Sequence, residues 1–237
     1  MKFDTYSLKA RVYPCLIVLL PIFLLAIIYV TNIKLYFHYI TSFVSFGVFS
    51  FLLAQIGRDN GKLKEKELFE YWGGKPTSMI LRHSNDYLDS HTKNRLHSRL
   101  TQTIPNIKIP TNEEEQENRQ AADKIYDSCT KYLISKTRDS NKYHLLLNEN
   151  INYGFRRNLW GMKTWALPII FICMFILLLT ATKTFTTIET INNGDYILFS
   201  IYTLLIMIWI FIIKKDWIKL PAFAYAERLF ETLDEQI

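Results

Sequence analysis

Four stretches of this chain are almost free of charge: Val12–Val30, Leu35–Ile56, Thr164–Thr182 and Tyr196–Ile213. Each has about the length that a helix rising ~1.5 Å per residue needs to cross roughly 30 Å of hydrocarbon. A backbone in lipid must satisfy its own hydrogen bonds, so such stretches are expected to be helices. Charged residues still make up 21% of the chain, and nearly all of them lie between and outside the four stretches. The expected class is therefore an all-α membrane protein. Four transmembrane helices are arranged as two pairs, with a mostly helical cytoplasmic domain inserted between the pairs. The expected divisions are 1–56 (N-terminal tail and first two spans), 57–163 (basic domain), 164–213 (last two spans) and 214–237 (C-terminal amphipathic helix).

The basic start (Lys2, Lys9, Arg11) invites comparison with a signal peptide. The apolar run is too long for one, Pro21 interrupts it, and no small-residue cleavage site follows, so it reads as a retained span. Pro14 and Pro21 are tolerable in a membrane helix. Loop charge sets the orientation. Arg58, Lys62, Lys64, Lys66 and Lys75 follow the second stretch. Arg156, Arg157 and Lys163 precede the third, and Lys214, Lys215 and Lys219 follow the fourth. The short links 31–34 and 183–195 carry little positive charge. Both termini and the middle domain are thus expected in the cytoplasm. Tyr36, Trp160, Trp165, Tyr196 and Trp217 stand near span ends, as interfacial anchors do.

Gly57–Lys163 holds 19 Lys/Arg against 14 Asp/Glu, a net of +5. Glu113, Glu114, Glu115 and Glu117 fall in one run, which leaves the remainder strongly basic. Periodicity predicts helices over Lys62–Tyr71, His91–Gln102 (capped by Asp89 or Ser90), Glu113 to about Ser135, and about Asn141–Tyr153. In the third of these, Ala121, Ala122, Ile125, Cys129, Tyr132 and Leu133 are expected inward. Gly73, Gly74 and Pro76 break the first helix. After Pro221, Phe223, Ala226, Leu229, Phe230, Leu233 and Ile237 repeat at helical spacing. That face is buried either against its own chain or in a self-association seam.

No catalytic signature is present. Gly73-Gly74-Lys75-Pro76-Thr77 has proline where a phosphate-binding loop needs Ser or Thr, and HExxH, GxSxG and GxGxxG are missing. His91 and His97 are six apart, wrong for two ligands on one helical face. Cys15, Cys129 and Cys173 lack any ligand spacing and read as small apolar packing residues. Neither a metal nor a cofactor is expected, and the chain does not read as an enzyme.

The densest candidate for a nucleotide or nucleic-acid site is Trp72, Lys75, Arg82, His83, Arg95 and Arg99, with Arg156 and Arg157 nearer the membrane. Lys93 lies in the same segment. Arg95 and Arg99 are four apart and share a helical face. Trp72 offers a stacking surface, and the paired glycines permit backbone amides to approach a phosphate. The competing readings are anionic-lipid contacts beside the bilayer and a solvated charged face. The second stretch carries small and polar residues. His38, Ser42, Ser45 and Phe49 fall on one face, which reads either as close helix packing or as a pore lining, with Phe49 and Leu52 as a hydrophobic gate. No span holds a charge at mid-membrane, which argues against a proton-coupled transporter.

Trp72-Gly73-Gly74-Lys75-Pro76-Thr77, Leu81-Arg82-His83, Tyr153 to Gly161 and Tyr225-Ala226-Glu227-Arg228-Leu229 resemble a group of bacterial four-span proteins. The arrangement is similar to the Hailong (HalA-type) membrane effectors of anti-phage defence. That resemblance implies an ion-channel domain plus a soluble crown in the bacterial inner membrane, and death of the infected cell when the channel opens. It also implies a partner nucleotidyltransferase whose short single-stranded DNA holds the channel shut. The expected function is thus a ligand-gated channel or pore-former in a homo-oligomer, with a tetramer as the working number. The alternative is a non-channel adaptor that recruits a soluble partner through its basic domain.

Overall fold

The computed structural model describes residues 5–29, 51–185 and 193–234, and all regular secondary structure among them is helical. Helix α1 (Tyr13–Tyr29) is entered through one turn at Thr5–Ser7 and a π-helical stretch at Leu8–Val12. Residues 51–63 are helical and form α2. Then come α3 (Glu65–Trp72), α4 (Pro76–Leu81), α5 (Ser90–Thr103), α6 (Asn112–Glu117) and α7 (Arg119–Lys136). The chain ends with α8 (His144–Gly161), α9 (Lys163–Phe185), α10 (Asn193–Met207, followed by a π-helical stretch at Ile208–Ile212) and α11 (Lys215–Glu231).

Two compact units emerge. Met1–Glu65 and Gly154–Trp217 form an apolar unit, and Lys66–Tyr153 with Ile218–Ile237 form a polar unit. In the apolar unit three segments are long and apolar enough to cross a membrane: Thr5–Ile27, Lys163–Thr180 and Gly194–Ile212. Four were expected. The second, Leu35–Ile56, lies outside the described residues up to position 50, so three is the number supported among those described. Phe175 on α9 and Phe211 after α10 are 60% and 64% exposed. Apolar side chains this open, along whole helices, match a hydrocarbon solvent better than water.

The apolar unit is knit where backbones come close. A Cβ on Gly161 would meet the Gly61 backbone nitrogen at 2.7 Å, so glycine at 161 lets the two chain segments touch. The buried Asn158 donates from Nδ2 to the Ala10 carbonyl at 2.7 Å, inside the π-helical stretch. Tyr202, fully buried, donates to the Pro21 carbonyl at 2.8 Å. Each of these polar atoms would be costly in an apolar surrounding without its partner. Cys15, Leu19 and Ala54 pack together between α1 and α2.

The polar unit has one core. Ile80 and Leu81 of α4, Leu96 and Leu100 of α5, and Ala122, Tyr126, Cys129 and Leu133 of α7 meet Phe223, Ala226, Leu229 and Phe230 of α11. The spacing of 3 and 4 in α5 and α7, and from Phe223 through Ala226 to Leu229 in α11, is that of one buried face. The C-terminal face expected from its periodicity is thus buried against its own chain, at least as far as Leu233; Ile237 lies outside the described residues.

Helix ends follow local chemistry. Asp89 caps α5 by accepting from the Thr92 amide, one of the two caps expected. Thr111 and Glu114 form a reciprocal capping box at α6. The single helix expected from Glu113 to Ser135 is in fact two. It breaks at Asn118 (φ −143°, ψ 80°), whose side chain caps α7 by accepting from the Ala121 amide. The break changes which residues face inward. Tyr126 and Thr130 are buried, whereas Ala121 is exposed and Ile125 and Tyr132 are half-buried. The helix expected over Asn141–Tyr153 runs from His144 on through Gly154 to Gly161.

Candidate functional site

The candidate site is a groove in the polar unit where α3, α4 and α7 meet. Its volume is about 570 Å³, and its lining includes Phe69, Gly74, Lys75, Arg82, Asp123 and Asp127. Its shape begins with the end of α3. The Gly74 amide donates to the Phe69 carbonyl at 2.8 Å and the Gly73 amide to the Glu70 carbonyl at 3.3 Å. This is the paired closure of a Schellman motif, and it needs the left-handed backbone that Gly73 supplies (φ +89°). Both amides are therefore engaged in closing the helix. That corrects the expectation that they are available to a phosphate. Pro76 then opens α4 at its first position.

Arg82 ties the groove together. It is 3% exposed, and its Nε and Nη2 donate to the two carboxylate oxygens of Asp123 at 2.8 and 2.6 Å. Nη1 donates to the Gly73 carbonyl at 2.9 Å. The guanidinium fork thus joins the α3 terminus, the α4 terminus and α7 in one bidentate arrangement. Gly74 is required beside it, since a Cβ there would meet Nη2 at 2.5 Å. Lys75 reaches across to Asp127 at 2.7 Å, and Lys131 reaches the same carboxylate at 3.1 Å. Burial works against ionisation of Asp127, but these two ammonium groups hold its carboxyl below its ordinary value. Trp72 is 6% exposed and does not line the groove, and its buried indole Nε1 has no hydrogen-bond partner among the described residues.

A second polar centre lies behind α4. Glu115 is 3% exposed yet well supplied with donors. It accepts from the His83 amide at 2.9 Å, the Ser84 amide at 3.2 Å, the Ser84 hydroxyl at 2.9 Å and the Tyr126 hydroxyl at 2.8 Å. Burial pushes its carboxyl up, but the four donors together hold it below its ordinary value. His83 and His97 stand edge to face with ring centroids 4.8 Å apart. His83 Nε2 contacts the Pro110 carbonyl at 3.0 Å, and His97 Nε2 contacts the Leu81 carbonyl at 2.8 Å. A carbonyl only accepts, so His97 holds its proton on Nε2. Burial pushes its pKa down and keeps the ring neutral. The Lys93 ammonium donates to the His83 and Asn85 carbonyls. Among the described residues no group of three or more His, Cys, Asp or Glu is placed to hold a metal ion. All three cysteines are buried, and burial pushes the Cys129 thiol up to about 11.

The remaining candidates are dispersed. Arg95 and Arg99 do share a face of α5, and both approach Asp234 of the C-terminal segment, at 3.7 and 4.0 Å. Arg156 and Arg157 belong to the apolar unit. Arg156 lies over the Trp217 ring at 4.7 Å and donates to its carbonyl at 2.8 Å. Arg157 is 8% exposed and pairs with Glu65 at 2.9 Å. The groove therefore gathers Lys75 and Arg82 alone from the eight expected ligand residues. Of the pore candidates, His38, Ser42, Ser45 and Phe49 lie outside the described residues; Leu52, on α2, is 53% exposed. Sequence reasoning missed Asp123, Asp127 and Glu115. A count of net charge treats acids as background, and only their spacing on α7 (Asp123 and Asp127 are four apart) hinted that two of them face one way. Comparison with protein-family models, with curated proteins and with solved structures finds no match.

Proposed function

We propose that this chain is a multi-pass membrane protein with four transmembrane helices and cytoplasmic termini, in which the polar unit binds a phosphate-bearing ligand and thereby controls a channel or pore built by a homo-oligomer. The observation that carries this reading is the way the polar unit is spliced into the chain. The backbone passes between the two units at Glu65/Lys66, Tyr153/Gly154 and Trp217/Ile218. A ligand that prefers one arrangement of the polar unit must bias whatever is joined to it, by as much as its affinities for the two arrangements differ.

The groove offers a switchable element. Lys75 and Asp127 form a tie whose side chains are 47% and 23% exposed, so it is open to competition. An anionic ligand entering the groove displaces Asp127 from Lys75 and loosens α4 from α7. Arg82 stays with Asp123, which is the deeper pair. The resemblance to anti-phage effectors names a first ligand to try, a short single-stranded DNA made by a partner nucleotidyltransferase.

The test starts with the absorbance ratio at 260 and 280 nm of the detergent-purified protein, followed by sequencing of any nucleic acid extracted from it. Ion flux is then measured in liposomes with and without short single-stranded DNA or nucleotides, for the wild type and for Lys75→Glu. Flux that depends on ligand and is altered in Lys75→Glu supports the reading; flux absent under every condition refutes it. The second reading, a membrane adaptor, is favoured by one observation: Lys75 and Arg82 are already paired within the chain. It predicts capture of a soluble partner by the polar unit and no conductance.

A further inference from the structure

An α-helical carbonyl accepts from the amide four residues on, and proline has no amide to give. Pro14 therefore offers nothing to the Ala10 carbonyl, and Pro221 nothing to the Trp217 carbonyl. One turn of α8 answers both. Asn158 donates from Nδ2 to Ala10 at 2.7 Å, and Arg156 donates from Nη1 to Trp217 at 2.8 Å, with its guanidinium 4.7 Å from the Trp217 ring centre. Arg157, between them, pairs with Glu65 at 2.9 Å and donates from Nε and Nη2 to the Asn158 carboxamide oxygen at 3.3 and 3.2 Å. Arg157 and Asn158 are buried and Arg156 is half-buried.

The partners of this network mark the passages of the chain between its two units. Glu65 is the last apolar-unit residue before the first passage, Gly154 opens the return at the second, and Trp217 is the last before the third. Ala10 belongs to the π-helical stretch that leads into α1. The entry to α1 lies directly on the same turn of α8, since a Cβ on Gly154 would meet the Tyr6 hydroxyl at 3.0 Å and the Ala10 Cβ at 3.2 Å. All three passages are thus held to one turn on the apolar side, and Asn158 joins that turn to α1. Leaving any of these buried polar groups without its partner costs about 1–3 kcal/mol, which favours movement of the tied ends together over movement of one alone.

We infer that Arg156, Arg157 and Asn158 are a coupling node: positioning residues that tie opening of the polar unit to the entry of α1. The inference rests on the reading in which the polar unit controls the membrane helices, and it names the residues that carry the coupling free energy.

The test is hydrogen exchange of the full chain in detergent micelles, read by mass spectrometry in peptides from α7 and from residues 5–20. Tyr126→Phe removes a donor inside the polar core and should speed exchange in α7. With the node intact it should also speed exchange in residues 5–20 by about threefold or more. Asn158→Leu cuts the link to Ala10. Exchange in residues 5–20 is then faster from the start, and adding Tyr126→Phe should change it by about 1.5-fold or less, while α7 responds as before. Pro14→Ala gives the Ala10 carbonyl a local amide, so Asn158→Leu/Pro14→Ala should restore slow exchange in residues 5–20 and still not respond to Tyr126→Phe. Arg156→Lys, which can donate to the Trp217 carbonyl, should keep the response, and Arg156→Met should weaken it. A bond that merely stabilises α1 predicts no response to Tyr126→Phe in any background. Two outcomes overturn the inference: residues 5–20 indifferent to Tyr126→Phe in the wild type, or a response undiminished in Asn158→Leu/Pro14→Ala. Lys75→Glu tests the groove separately. If it leaves residues 5–20 unchanged while Tyr126→Phe speeds them, the node stands and control through the groove is refuted.

Discussion

The buried pair Glu115 and Tyr126 supports a sharp quantitative prediction. The Tyr126 hydroxyl is in a fully buried side chain and donates to a carboxylate at 2.8 Å. A hydrogen bond to a charged group contributes about 1.5–3 kcal/mol, and a buried polar group left unpaired costs about 1–3 kcal/mol. Tyr126→Phe in the wild type removes the donor but leaves Glu115 three others, so the expected loss is ~2 kcal/mol. In a Glu115→Ala background the same hydroxyl has no acceptor. There Tyr126→Phe removes an orphan and is expected to be neutral or mildly stabilising. The coupling between the two positions is therefore ~2 kcal/mol, well beyond the ~0.5 kcal/mol scatter of independent sites. Cys129 provides a readout confined to the polar unit, since it is buried there and the other two cysteines belong to the apolar unit. In a Cys15→Ala/Cys173→Ala chain, thiol labelling of Cys129 tracks opening of the polar unit. Tyr126→Phe should raise the labelling rate about 25-fold in the wild-type background, since ~1.4 kcal/mol is a factor of ten, and about onefold or less with Ala at 115. The same factor in both backgrounds would refute the proposed network.

Other consequences are measurable with the same assay. Acid should weaken the polar unit in two steps. His97 is held below its ordinary value of 6.5 and Glu115 below 4.5, so the stability each adds is complete above its ordinary value and is lost as pH falls from there through its lower value in the folded protein. His97→Gln should flatten the first step alone. Gly73→Ala meets open space but a left-handed backbone, and should cost about 1 kcal/mol; Gly74→Ala also strikes Arg82 and should cost at least twice that. Phe230→Ala should cost about 3–5 kcal/mol, since the ring is 1% exposed in the polar core. If labelling of Cys129 is unchanged in that variant, the C-terminal helix is not part of the core. Gly161→Leu should break the close approach to Gly61 and be seen as loss of monodisperse protein in detergent.

How much of this was legible beforehand varies with the range of the interaction. Three apolar helices, the break at Gly73-Gly74, the Asp89 cap and the inward face of α11 are local facts. They depend on runs of apolar residues, on backbone freedom and on a side chain reaching two or three residues, and all of that is written in adjacent positions. The break at Asn118 was not legible, because Thr111 and Asn118 are both good caps and only packing decides that each begins its own helix. The site was legible by half. Lys75 and Arg82 do meet at one groove. Net charge, however, hid the acids that engage them.

The amino-acid sequence by itself determined where this chain is apolar enough for a bilayer, where several of its helices start and stop, and which face of the last helix is buried. Those properties follow from period and composition within a few turns. Only the tertiary structure decided that Arg82 faces Asp123, 41 positions further along the chain, that Glu115 turns inward from an acidic run, and that the last helix completes the polar core. The physical reason is that a charge has no preferred direction along the chain. Its partner is whichever group the packed backbone brings within about 3 Å, and that is known only once the helices have met.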